Sequence, residues 1–174
     1  VYALNATTGA LKWSYTTADD VFSSPAVAGG VVFIGSQDDK VYALNATTGA
    51  LKWSYTTGGN AWSSPAVVDG VVFIGSNDNK VYALNATTGA FKWSYTTSGI
   101  VWSSPAVAYG MVFIGSSDNN VYALNATTGA LKWSYNTVGV VYSSPAVADG
   151  MVFVGSYNSL VYALNATTGA WVWS

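Results

Sequence analysis

Apolar positions in this chain fall in short runs separated by polar and glycine-bearing turns, and the order of runs returns every 40 residues. In the unit Ser23–Tyr55, a first run opens at Ser23-Ser24-Pro25, reaches Ala28 and stops at Gly29-Gly30. Val31–Ile34 is the second, ended by Gly35-Ser36-Gln37-Asp38-Asp39. Val41–Leu44 is the third, closed by Asn45-Ala46-Thr47-Thr48-Gly49, and Leu51–Tyr55 is the fourth. β-Branched and aromatic residues between Gly, Pro, Asn and Asp turns, at close and even spacing, predict strands. No window carries apolar residues at three-to-four spacing over a helical length, so no helix is expected. Each unit is predicted to hold four antiparallel strands, A to D in chain order.

The third and second runs have no polar side. Val41-Tyr42-Ala43-Leu44 and Val31-Val32-Phe33-Ile34 are apolar at odd and even positions alike, and a sheet that is apolar on both faces must be covered on both. A repeat of about 40 residues with four strands is the signature of a β-propeller blade, which gains that cover from its neighbours. The expected fold is therefore an all-β propeller of four-stranded antiparallel blades. Residues 1–17 supply a C–D half-blade. Residues 18–57, 58–97, 98–137 and 138–174 supply four blades, the last with strand D cut short at Ser174. The whole, 1–174, is expected to be one propeller or half-propeller domain.

One stretch recurs in all five units. Ala3-Leu4-Asn5-Ala6-Thr7-Thr8-Gly9 is followed by Trp13. Its key residues return as Ala43, Asn45, Thr48, Gly49 and Trp53, and again as Ala83, Asn85, Thr88, Gly89 and Trp93. They return once more as Ala123, Asn125, Thr128, Gly129 and Trp133, and last as Ala163, Asn165, Thr168, Gly169 and Trp173. The stretch resembles the tryptophan-docking motif of pyrroloquinoline-quinone-type propeller repeats, Ala-x-Asp/Asn-x-x-Thr-Gly-x-x-x-Trp. The resemblance implies that each indole packs on a neighbouring blade. It also implies rings of about seven or eight blades, so that this chain is half a ring, and an envelope or extracellular setting. The indole suits that role, with a large apolar area and a single N–H to satisfy. Asn before Thr-Thr-Gly suits a turn, because Asn bonds its own backbone two residues on and Gly takes positive φ. Gly9, Gly49, Gly89, Gly129 and Gly169 are therefore expected to be structural. Each of Asn5, Asn45, Asn85, Asn125 and Asn165 also opens an Asn-Ala-Thr glycosylation pattern, read here as the turn residue first.

Composition removes several function classes. Charged residues make up 8% of the chain, with no Arg, His, Glu or Cys and a net charge of −2, which gives no electrostatic case for nucleic acid or an anionic membrane. No run approaches the length of a membrane-spanning helix. Nucleophile–base pairs have no His or Cys to build on. Quinone-cofactor dehydrogenases of the resembled family use a vicinal Cys pair, an Arg, and Glu, Asp and Asn around calcium; lacking Cys, Arg and Glu, the chain is expected to carry no cofactor and no catalytic residue. A quinone-dependent dehydrogenase fragment is the least favoured reading.

The candidate binding face follows from what varies. The C–D turns are identical in every unit, whereas the D–A and B–C loops differ. In propeller topology those two sets emerge on one face, and binding residues concentrate on loops held by a rigid scaffold. Phe22, Trp62, Trp102 and Tyr142, each just before Ser-Ser-Pro, are expected to ring the mouth of the central channel. They read either as a platform for a sugar or peptide or, the favoured reading, as filling of the seams between blades. Asp38, Asp78 and Asp118 stand at matching loop positions. One Asp per loop is too few for the six or so oxygens of a calcium site, so turn-forming hydrogen bonds are favoured.

The functional expectation is a non-catalytic scaffold or interaction module that self-associates, two chains completing a ring. A carbohydrate- or peptide-binding surface is the alternative. Near-identity of the units points to recent amplification of one blade, or to design. A start inside a repeat, without Met or a signal region, marks a processed product, a fragment or an engineered segment. In the last unit Leu160 replaces Lys40 and Lys80, and Trp171-Val172 replaces Leu-Lys, which reads as a contact surface or as drift in a terminal blade. Residues 1–17 duplicate the C–D hairpin that the A–B pair of residues 143–156 already possesses. Either 161–174 is displaced, or 1–17 lies on an edge, or a second chain uses one of them.

Overall fold

A computed structural model describes residues 1–174. It contains strands and turns and no helix. β1 (Tyr2–Leu4) and β2 (Leu11–Ser14) form a hairpin. The first complete blade holds β3 (Ala26–Ala28), β4 (Val31–Gly35), β5 (Lys40–Asn45) and β6 (Leu51–Thr56). The second holds β7 (Ala66–Val68), β8 (Val71–Gly75), β9 (Lys80–Asn85) and β10 (Phe91–Thr96). The third holds β11 (Ala106–Ala108), β12 (Met111–Gly115), β13 (Asn120–Asn125) and β14 (Leu131–Asn136). The fourth holds β15 (Ala146–Ala148), β16 (Met151–Gly155), β17 (Val161–Asn165) and β18 (Trp171–Trp173). In every sheet, strands adjacent in sequence are adjacent in space and antiparallel, as expected of propeller blades.

Strand A is shorter than its apolar run, for one local reason and one that lies in the next blade. Pro25 has no N–H for a ladder, and the serine before it bonds outward. Ser24 N–H donates to Ser64 Oγ at 2.8 Å, Ser64 N–H to Ser104 Oγ at 2.9 Å, and Ser104 N–H to Ser144 Oγ at 3.0 Å. The Ser-Ser-Pro run thus leaves its own sheet and ties each blade to the next.

The core lies between sheets. Phe33, Val41, Ala43 and Trp53 of the first blade pack against Val72, Ile74, Tyr82 and Leu84 of the second. The same residue types repeat this seam between the second and third blades and between the third and fourth. The β1–β2 hairpin forms a smaller version through Trp13, packed against Val32, Ile34, Tyr42 and Leu44. Each blade therefore has a forward face and a backward face, which explains why its central strands carry no polar side.

The indole fixes each seam. A β-bulge in strand D pairs Ala43 with Trp53 but Leu44 with Leu51, leaving Lys52 over. That extra residue keeps Leu51 and Lys52 in solvent and turns Trp53 inward. Trp13, Trp53, Trp93 and Trp133 donate Nε1–H to the carbonyls of Ala46, Ala86, Ala126 and Ala166, at 2.9–3.1 Å. Each ring lies on the glycine that closes the next blade's C–D turn. A methyl at Gly49, whose φ is +73°, would stand 2.7 Å from the Trp13 ring, so the turn needs glycine both for its backbone and for the indole. Gly89 stands in the same relation to Trp53, Gly129 to Trp93 and Gly169 to Trp133, each with positive φ and a ring 2.6–2.7 Å from the place of a methyl. Two of the motif residues depart from this pattern. Gly9 has positive φ but no ring against it, and Trp173 is exposed with no following turn to dock on. Both stand in the outermost units of the arc, which meet a neighbour on one side only.

Replacing Trp93 by Phe keeps most of the packing and leaves the Ala126 carbonyl without its donor. The expected loss is about 1–3 kcal/mol in urea unfolding, whereas an unchanged midpoint would mean that the hydrogen bond contributes nothing.

Candidate functional site

On the face that varies between blades, the B–C turns of the first three blades are each organised by one aligned carboxylate, Asp38, Asp78 or Asp118. Asp38 lies in the B–C turn, in which Asp39 adopts positive φ (66°). Its Oδ1 accepts from Lys40 N–H at 3.2 Å, which starts strand C. Its Oδ2 accepts from the Tyr42 hydroxyl at 2.6 Å and from Ala18 N–H, in the preceding D–A loop, at 2.9 Å. Asp78 repeats this with Lys80 N–H, Tyr82 and Gly58 N–H, and Asp118 with Asn120 N–H, Tyr122 and Ser98 N–H. In the fourth blade Asn158 stands in: its Nδ2 donates to Tyr162 Oη and to Thr137 O, both at 2.6 Å. The carboxylates thus latch the D–A loop that leads into each unit to that unit's own B–C turn, and so bring together the two loop sets that the sequence pattern placed on one face.

The buried phenols inside the latches are held neutral. Burial, reinforced by the hydrogen bond to the neighbouring Asp and by its charge, pushes the Tyr42, Tyr82 and Tyr122 hydroxyls well above the usual phenol range. Tyr95 is raised by burial and by the charge of Asp118. No three acidic side chains come together as a metal-binding group, and each latch Asp already accepts three hydrogen bonds.

The aromatic residues that precede each Ser-Ser-Pro form a continuous arch. Phe22 meets Trp62 edge-on at 5.4 Å, Trp62 lies 5.0 Å from Trp102 at 33°, and Trp102 stacks on Tyr142 at 4.5 Å. Tyr157, at the tip of the last B–C turn, adds an edge contact to Tyr142 at 5.1 Å. The arch cross-links blades through ring contacts, and Trp102 Nε1–H donates to Asn77 Oδ1 at 2.6 Å. Trp62 Nε1 is buried with no partner; Gln37 stands at the position equivalent to Asn77, which serves Trp102. Phe22, at the open end, is 64% exposed.

Sequence reasoning missed two clefts on the opposite face. Between the second and third blades a cavity of about 430 Å³ has Phe73 and Val71 as floor, with Lys92, Asp69 and Tyr109 at its rim. An equivalent cleft of about 360 Å³ between the first and second blades involves Phe33, Val31 and Lys52. The signal in the sequence is the placement of Lys52 and Lys92 at matching positions after an invariant turn. A third hollow, of about 860 Å³, lies beside the β1–β2 hairpin and is lined by Val1, Tyr2, Tyr15, Val21, Pro25 and Ile34.

The sequence model of the family described as outer membrane protein assembly factor BamB matches residues 1–62 and 56–174. The chain belongs to this family. No curated protein sequence matches it. Among solved structures, BamB from Moraxella catarrhalis superposes with a TM-score of 0.83 at 24% identity, covering 95% of this chain and 56% of that one. The computationally designed Ika8 protein superposes with a TM-score of 0.83 at 18% identity over 92% of this chain and 50% of that one. The quinohemoprotein alcohol dehydrogenase ADHIIG from Pseudomonas putida HK5 superposes with a TM-score of 0.80 at 22% identity, over 92% of this chain and 34% of that one. At these identities the likeness concerns the fold. The chain spans about half the length of the BamB and Ika8 chains. A quinone and its calcium do not fit the residues present: the chain has no Cys, Arg or Glu, and its matching carboxylates are engaged in separate loop latches.

Two measurements test this face. Tyrosines of the unfolded chain ionise near pH 10, whereas native Tyr42, Tyr82 and Tyr122 hold their protons to higher pH. Stability should therefore be independent of these groups below about pH 10 and fall above it, as the unfolded state releases protons that the native state keeps. Tyrosinate absorbance should show these phenols ionising only as the structure is lost; ionisation of all twelve tyrosines near pH 10 with strands intact would contradict the latch. Calorimetric titration with calcium should give no binding heat, and a saturable signal would show that the Asp latches open to the ion.

Proposed function

We propose that the protein is a non-catalytic scaffold of the cell envelope that works as a two-copy ring, presenting the variable loops as its interaction face. The observation that carries this reading is the unpaired seam face at each end of the blade arc. Tyr2 is 77% exposed, against 5% for Tyr42, and Trp173 is 45% exposed, against 9% for Trp53. These are the residue types that close every internal seam, and apolar faces of this kind are association surfaces. Family membership supports the envelope setting and a role in protein contacts, since the family is described as an outer membrane protein assembly factor. The coverage of about half of the BamB and Ika8 chains supports a half-ring per copy. The absence of His, Cys, Arg and Glu, with the carboxylates engaged in latches, supports a role without chemistry on bound molecules. The aromatic arch is read as a collar that stiffens the channel mouth, because most of its rings face one another.

Light scattering on the purified 174-residue chain should give twice the 18.1 kDa chain mass at micromolar concentration. A single species of one chain mass would overturn the two-copy reading.

A further inference from the structure

The seam between the third and fourth blades holds a contact that the seam between the first and second lacks. In the A–B turn of the third blade Tyr109 adopts positive φ (54°). Its hydroxyl accepts from Gly150 N–H, in the A–B turn of the fourth blade, at 3.1 Å. The phenol thus crosses from one A–B turn to the next over the mouth of the seam, with its side chain 61% exposed. In the same seam Met111 is buried against Ala108 and Val147.

Between the first and second blades the frame is the same and both side chains are gone. Gly29 stands at the position of Tyr109 and Val31 at that of Met111, whereas the turn across the seam, Asp69-Gly70, repeats Asp149-Gly150. The cleft of about 360 Å³ described above lies here. Gly29 has φ +55°, and a methyl placed on it would meet nothing within 4 Å. Its turn therefore has the conformation of the Tyr109 turn, with open space where that side chain would begin. The Gly70 N–H, counterpart of the Gly150 donor, bonds no acceptor in the protein.

We propose that this cleft binds the tyrosine side chain of a partner peptide, as the seam between the third and fourth blades holds Tyr109. Phe33 and Val31 offer an apolar floor for the ring. Lys52 lines the same cleft and forms no ion pair, so its ammonium is free to lie over an aromatic face. The phenol oxygen accepts from Gly70 N–H, and its O–H donates to Asp69, the one carboxylate lining the cleft. A carboxylate ligand would be repelled by Asp69, and a plain phenyl ring would leave the Gly70 donor and the Asp69 acceptor without a partner. A peptide is the source because the group in the equivalent place is itself a tyrosine rising from a backbone turn at the rim. Both blades belong to one chain and the site lies away from the variable loops, so it does not depend on the two-copy ring.

Amide nuclear magnetic resonance on the full chain tests it. The run Val68-Asp69-Gly70-Val71 occurs once, so the Gly70 amide can be assigned. The blocked peptide Ala-Tyr-Ala should shift that amide with half-saturation near ~1 mM, while Gly150, already engaged by Tyr109, stays in place. Blocked Ala-Phe-Ala, without the oxygen, should bind about tenfold more weakly. Gly29→Tyr supplies the phenol from within the chain, on a turn whose φ matches that of Tyr109. In that variant the Gly70 amide should move toward the Gly150 position without peptide and no longer respond to it. A Gly70 amide unmoved at about 10 mM Ala-Tyr-Ala, an equal response to the two peptides, or a Gly29→Tyr chain that responds as before would overturn the proposal. Binding of p-cresol as tight as that of Ala-Tyr-Ala would overturn the peptide as the source and make a free phenol the ligand.

Discussion

The structure depends on the contact between an indole and a turn. Each four-stranded sheet is thin and apolar on both broad faces, so no blade has an interior of its own. The Trp side chain covers the glycine of the neighbour's C–D turn, and its single N–H satisfies the alanine carbonyl there. Because Gly49, Gly89, Gly129 and Gly169 have no side chain, each ring lies flat against the backbone. The bulge in strand D aims the indole at this spot, and the invariant Asn-Ala-Thr-Thr-Gly turn presents the acceptor. Motif, bulge and turn therefore form one device, repeated at four seams.

The two faces of the arc divide the remaining work. On one, Asp38, Asp78 and Asp118 each tie the loop leading into a unit to that unit's B–C turn, and the aromatic arch and the Ser24–Ser64–Ser104–Ser144 ties link successive units across the seams. The polar groups there mostly serve neighbouring loops, which explains how a chain with few charges orders its most variable segments. Asn158, in place of Asp in the fourth blade, keeps the geometry with donor and acceptor reversed toward the tyrosine. On the other face the turns are uniform and leave clefts between blades.

A seam stabilises the protein only where both faces are present. Each internal blade has two, and the outermost units have one. The contrast between buried Tyr42 and exposed Tyr2, identical in local sequence, shows that burial here is a property of position in the arc. That is the physical basis for the association proposed above.

The repeat, the strand order and the sheet type were legible in the sequence because they follow from local patterning: short β-branched runs, turn residues at fixed offsets and an apolar character that demands cover on both sides. The tryptophan motif was legible as a docking element, although its acceptor was not, since an alanine carbonyl 33 residues away carries no side-chain signal. The candidate loop residues could be placed on one face but not given partners. That strand A yields its serine to the next blade and that each indole finds a carbonyl there were decided by how neighbouring units approach, and that Asp38 bonds Tyr42 and Ala18 N–H by how the loops of one unit close on each other. Period-two and turn signals act along the chain over a few residues, whereas seam contacts join residues one repeat apart, and only packing the blades side by side chose among otherwise identical units.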